Sequence, residues 1–147
     1  MAKKLPTYKN CFICGTQNEI GLQARFWTEG ELAFSECRPD SRYEGYKGII
    51  HGGVVSAMLD ETMGKAIMAA GGPMAMTAKL NVRFRKSALV GRKLTFEGEW
   101  TGKKRVFYET RGRALNESGE VVAEATGLFV EVPEEESNEI IAYLDWK

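Results

Sequence analysis

Apolar and polar positions along the chain fall into two kinds of pattern. One segment, "GIIHGGVVSAMLDETMGKAIMAAGG" (residues 48–72), is apolar almost all the way round at helical spacing. It predicts a long buried helix that begins at "HGG" and ends near residue 70, where "GGP" stops it. The remainder has strand character. Residues 76–86, "MTAKLNVRFRK", alternate cleanly, with Leu80, Val82 and Phe84 on one face and Lys79, Asn81, Arg83 and Arg85 on the other. Residues 22–28 and 31–37 flank an "EG" pair as a hairpin. Three further runs, 92–101, 105–115 and 120–132, are parted by "GKK" and "NESG" turns. Residues 38–48 are loop by composition. Residues 1–10 predict a loosely ordered arm, and residues 133–147 a tail ending in a short amphipathic helix that packs on a partner.

The order is two strands, one helix, then four strands. It predicts an α+β architecture, a curved antiparallel sheet of five to six strands wrapped around one long central helix. A chain of 147 residues is read as one domain, residues 1–147. Twenty basic and twenty acidic residues cancel, so no field invites nucleic acid or an anionic membrane as a partner. No run approaches the roughly 18 apolar residues of a membrane span. The first ten residues lack the apolar stretch of a secretory signal. Three cysteines are too few for a disulfide scaffold, and the expected compartment is the reducing cytoplasm.

Chemistry enters at Asp60. A buried helix has no structural use for a carboxylate. Residues three and four apart share a helix face, which sets Ser56, Ala57, Met63 and Gly64 around Asp60. Ser56 and Gly64 are small and leave room beside the acid. The same pattern also fits an Asp60 that meets solvent at a gap in the sheet. Glu61 has Lys65 four residues on and reads as an ordinary solvated acid in a helical ion pair.

At the helix start, His51, Gly52 and Gly53 offer backbone N–H donors with partial positive charge, suited to an anion or a developing oxyanion. The tripeptide fits equally a glycine-rich helix entry with nothing bound. Gly52 and Asp60 are eight residues apart, about 12 Å along a helix. One small reacting group cannot touch both in one chain. If they act together they come from two chains, which predicts a homodimer with two composite sites.

Four segments carry a family likeness: "CFICGTQNEIGL" (11–22), "YEGYKGIIHGGVVSAMLDETMG" (43–64), "TAKLNVRFRKSALVG" (77–91) and "GEVVAEATGLFV" (119–130). Their order resembles hotdog-fold acyl-CoA thioesterases. The chain is most similar to the phenylacetyl-CoA thioesterase-like group, within the wider 4-hydroxybenzoyl-CoA thioesterase-like superfamily. The resemblance implies that Gly52 gives its N–H to the thioester carbonyl oxygen. It implies that Asp60 of the opposing subunit acts as general base or nucleophile. Thr77 would help position water or the base, and His51 would orient the loop or hydrogen-bond near the carbonyl. Glu44 falls near a polar position usually held by Asn, Asp or Gln. Gly53, Ser56 and Gly64 would border the substrate. Arg83 and Arg85 suit the phosphates of coenzyme A. Ser87 departs from the family, which commonly has proline there. The implied partners are an acyl-CoA substrate and a second copy of the chain, as a homodimer or a dimer of dimers. No cofactor beyond the CoA of the substrate is implied.

Cys11 and Cys14 form C-x-x-C. A zinc site wants four ligands, and the soft or imidazole partners left are Cys37 and His51. The expectation is therefore free thiols and no metal. Rival functions are a hotdog hydratase, which would place a Glu where this chain has Lys65, a non-catalytic acyl-CoA-binding module, and an interaction protein in which Asp60 is incidental.

Overall fold

Seven antiparallel strands wrap one helix, and the computed structural model describes residues 2–145 of this arrangement. The helix, α1, spans Gly52–Ala69. In chain order the strands of the large sheet are β1 (Ala2–Lys4), β3 (Arg25–Glu29), β4 (Leu32–Cys37), β5 (Ala75–Phe84), β6 (Leu94–Lys104), β7 (Phe107–Leu115) and β8 (Val121–Glu131). Their spatial order is β1-β3-β4-β6-β7-β8-β5. The strand that follows the helix therefore lies at the far edge, beside β8, the last strand of the sheet in chain order. This is the α+β architecture the pattern predicts.

The sheet has seven strands where five to six were expected. The extra strand comes from residues 2–4, expected as part of a loose arm. They pair with β3 in the register Ala2↔Glu29 to Lys4↔Trp27. Leu5 and Thr7, just beyond, are buried. A second, two-stranded sheet joins β2 (Thr7–Tyr8) to β9 (Leu144–Asp145). Lys3 and Lys4, charged residues on a short edge strand, hid the pairing of β1 with β3 from the pattern. In the tail, α2 (Glu134–Ala142) forms as expected, with three glutamates in its first turn, where the helix dipole favours them.

The core lies between α1 and the sheet. Met58, Leu59, Met63 and Ile67 are fully buried against Phe96, Phe129, Leu94 and Val122. Each such side chain contributes about 1.5–3 kcal/mol relative to exposure. Gly98 and Gly112, cross-strand neighbours on β6 and β7, let the backbones close in. A Cβ on Gly98 would stand 2.7 Å from the Thr62 carbonyl oxygen, and one on Gly112 would stand 3.0 Å from Met63 Cγ. Thr62, buried in the middle of α1, donates to the Met58 carbonyl and lies 2.7 Å from the Ser35 hydroxyl, so its polar atom is satisfied. Among the described residues no helix is long and apolar enough to cross a membrane.

Candidate active site

A bulge in β5 brings Thr77 to Asp60. The register runs Thr77↔Phe129 and then Lys79↔Leu128, leaving Ala78 as the extra residue. Unbroken alternation from Leu80 would put Ala78 on the helix side and Thr77 outward. The bulge shifts the parity by one, so Thr77 shares the helix-facing side with its partner Phe129. The Thr77 hydroxyl then donates to Asp60 Oδ1 at 2.5 Å. Asp60 is half-buried. Burial raises its carboxyl above the ordinary aspartate range, and the Thr77 hydrogen bond works in the opposite direction. Both residues line a cavity of about 250 Å³ with Gly64, Met68, Met76 and Phe129. Gly64 is small for a reason: a Cβ there would sit 3.3 Å from the Phe129 ring.

The start of α1 is built around His51. It is the N-cap, and its Nδ1 accepts the Gly53 N–H at 2.8 Å. That bond occupies Gly53 and leaves Gly52, the first helical residue, with an N–H that has no acceptor inside the helix. The Phe84 ring covers Gly52: a Cβ there would meet Cζ at 3.2 Å. Ser56 turns back onto the helix and donates to the Gly52 carbonyl at 2.9 Å. Glu44 is exposed and accepts the Gly48 N–H at 2.5 Å, closing the loop that leads into His51.

The structure does not gather every expected residue. Gly52 and Asp60 sit on one helix, about 12 Å apart by its rise. Arg83 and Arg85 lie on the sheet face away from α1. Arg83 is in register with Glu124, and Arg85 pairs with that same Glu124 at 3.3 Å. A larger hollow of about 690 Å³ opens on this outer face, among ion pairs such as Arg111–Glu99 and Arg113–Glu97. It does not include Asp60.

Glu61 corrects an expectation. It is not a solvated acid paired with Lys65. The Cys11 thiol donates to Glu61 Oε1 at 2.9 Å, and burial lifts the Glu61 carboxyl well above its ordinary range. Lys65 is itself buried. It donates to the Pro6 carbonyl at 2.6 Å and lies over the rings of Tyr8 and Phe26. Hydrogen bonding to Cys14 draws the Cys11 thiol below its ordinary range, while the same contact and burial push Cys14 up.

The family model of the thioesterase superfamily matches residues 47–123, just over half of the chain. The chain belongs to that superfamily. A solved thioesterase superfamily protein is 27% identical and superposes with a TM-score of 0.76; the match covers 84% of this chain and 61% of that one. This chain thus spans about three fifths of that protein's length. The E. coli PaaI protein from the phenylacetic acid degradation operon is 17% identical with a TM-score of 0.68, over 76% of this chain and 81% of its own. The smu.793 protein of Streptococcus mutans UA159, solved bound to acetyl CoA, is 21% identical with a TM-score of 0.68, over 80% of this chain and 97% of its own. These last two similarities are of fold.

Within this thioesterase superfamily chain, the matched span begins in the loop before His51 and includes Asp60 and Thr77. The Cys11–Cys14–Glu61–Lys65 cluster is what sequence reasoning missed. The signal was "CFICG", a turn with its own geometry. Its partner could not be found while Glu61 was assigned to solvent.

Proposed function

We propose that the chain, as one hotdog domain over residues 1–147, hydrolyses the thioester of an acyl- or aryl-acyl-CoA to the free acid and CoA. The sites are composite, at the interface of a homodimer. The observation that carries this reading is the hydrogen-bonded Asp60–Thr77 pair lining a cavity of about 250 Å³, in a chain of the thioesterase superfamily. The fold neighbour solved with acetyl CoA supports the substrate class.

The dimer follows from two features. The first is the 12 Å between Gly52 and Asp60 along α1, which one thioester carbonyl cannot bridge. The second is β5, a ten-residue edge strand with exposed Met76 and Phe84 and half-buried Leu80 and Val82. Long apolar edges are unstable alone and are met by pairing. A twofold axis through β5 would present the Gly52 of one copy to the Asp60 of the other.

In this reading the Gly52 N–H polarises the thioester carbonyl. Such a donor is worth roughly 2.7–4 kcal/mol in hydrolases. Asp60, oriented by Thr77, takes a proton from water as the water oxygen bonds to the carbonyl carbon. The tetrahedral intermediate then collapses, the C–S bond breaks, and the CoA thiolate takes the proton back from Asp60. Direct attack by the Asp60 carboxylate on the carbonyl carbon uses the same geometry: the C–S bond breaks, CoA leaves as thiolate, and water then hydrolyses the anhydride, giving the free acid, the regenerated carboxylate and the proton that the thiolate takes up. Met68, Met74 and Met76 around the cavity suit an apolar acyl group of variable shape.

The test is a panel of acyl-CoA esters (phenylacetyl, benzoyl, acetyl, hexanoyl, palmitoyl) assayed for CoA release, with a no-substrate control for the protein's own thiols. Turnover of at least one ester by wild type, lost in Asp60→Asn, supports the reading. Tight acyl-CoA binding with no turnover makes the chain a binding module instead.

A further inference from the structure

We infer that Cys11, Cys14 and Glu61 form a zinc site that ties the N-terminal segment to α1. Their ligand atoms lie within 4.8 Å of one another. Tetrahedral zinc, with Zn–S near 2.3 Å and Zn–O about 2.0–2.2 Å, sets such atoms about 3.5–3.8 Å apart. Small side-chain adjustments close the difference.

The turn is built to hold thiolates. The N–H groups of Ile13 and Cys14 point at Cys11 Sγ at 3.3 and 3.5 Å, and the Tyr8 N–H points at Cys14 Sγ at 3.4 Å. Backbone donors aimed at sulfur favour its charged form. Gly15 closes the turn by donating to the Cys11 carbonyl at 2.9 Å. A Cβ at Gly15 would stand 2.5 Å from the Cys11 nitrogen and 2.6 Å from the Lys9 carbonyl oxygen, so the fifth residue of "CFICG" has to be glycine.

Glu61 supplies the second, independent observation. Its Oε2 is buried and has no hydrogen-bond partner among the described residues, although its Oε1 meets Cys11. A buried carboxylate oxygen without a partner is costly, and a cation beside it removes the cost. Charge balance agrees. Two thiolates and one carboxylate carry three negative charges, which a zinc ion and the buried Lys65 ammonium cancel. Lys65 is held beside the cluster by the Pro6 carbonyl and two aromatic faces, and among the described residues no carboxylate forms an ion pair with it. Thiolate-rich donors select zinc over magnesium or calcium. The two ligands considered from the sequence do not belong to the cluster: His51 caps α1 with its Nδ1, and Cys37 is buried on β4. The fourth position falls to water from the adjoining cavity, which Glu61 and Lys65 also line. Zinc binding releases to solvent the protons that the three ligands carry.

The inference does not depend on the hydrolytic reading, and its test uses no substrate. The full chain is purified without chelator under a non-thiol reductant, and its metal content is measured. It is then stripped and titrated with Zn²⁺ and with Co²⁺. We expect about one zinc per chain, and sulfur-to-cobalt charge-transfer and d–d bands on Co²⁺ addition. Glu61→Gln and Cys14→Ser should each weaken binding by at least ~10–100-fold. A wild-type protein that is folded yet holds no zinc, shows no cobalt bands, or carries a Cys11–Cys14 disulfide in place of metal overturns the proposal. Wild-type metal content decides the matter even if a variant fails to fold.

Discussion

The Thr77 hydroxyl donates to Asp60 Oδ1 across the gap between β5 and α1, at 2.5 Å. The contact exists because one residue, Ala78, is extruded from the ladder. It holds in one orientation an acid that lines the cavity. Asp60→Asn retains an oxygen acceptor for Thr77 and loses the base. We expect kcat to fall by at least ~10²-fold with KM little changed, read by steady-state kinetics on the best ester of the panel. A kcat near that of wild type would remove Asp60 from the chemistry.

The same variant reports on the acid's energy. Burial raises the Asp60 carboxyl above its unfolded value of 3.8. The folded state therefore holds the proton more tightly. The stabilisation this gives is complete below the unfolded value and is lost as pH rises through the folded one. Asp60→Asn has no charge to bury at any pH. Thermal melts should show it at least as stable as wild type at neutral pH, with the gap closing towards about pH 4. A variant clearly less stable at neutral pH contradicts this.

Thr77→Ala removes the one contact that draws the Asp60 carboxyl down. The acid limb of the pH profile of kcat/KM should move to higher pH, because Asp60 must lose its proton to act as base. Glu61 lines the same cavity and remains unchanged in this comparison. A hydrogen bond to a charged group is worth about 1.5–3 kcal/mol, so a loss of about 10-fold or more in kcat/KM is expected at neutral pH. Thr77→Ser should recover most of it. A Thr77→Ala profile that superimposes on wild type would show that the contact is merely structural.

Much of this was legible in the chain. The all-round apolar run gave α1 to within a few residues, because a helix enclosed by a sheet leaves no broad polar face. The four later strands followed from alternation and turn residues. What alternation could not show was the bulge at Ala78, since an extruded residue leaves the polar and apolar order intact while reversing every side chain beyond it. The arm was missed because Ala2–Lys4 adds to the sheet by backbone pairing alone, and its side chains are exposed. Glu61 was misread for a different reason. An i,i+4 acid and base imply an ion pair only on a solvated helix face, and here the segment from Leu5 to Gly15 covers that face.

Gly52 is the next point of attack. It does not have a positive φ, so alanine can adopt its backbone. The added Cβ would press on the Phe84 ring at 3.2 Å, and that ring, half-exposed, can swing aside. Gly52→Ala should fold normally. Moving that ring disturbs the surroundings of the Gly52 N–H, and a misplacement of about 1 Å can cost on the order of 10²-fold in rate. We expect that loss in kcat/KM with an unchanged melting temperature. Full activity would place the oxyanion donor elsewhere.

Composite sites make a prediction that no single-chain site can satisfy. Gly52→Val and Asp60→Asn should each be inactive as homodimers. In a heterodimer of the two, one site receives both lesions and the other receives neither. Unfolding and refolding an equimolar mixture makes half the dimers mixed, so activity should return to about a quarter of the wild-type value. Charge on the edge strand should abolish the effect: Val82→Asp added to both chains would leave monomers by sedimentation and no recovered turnover. Recovery without dimers, or dimers without recovery, would place Gly52 and Asp60 in separate functions.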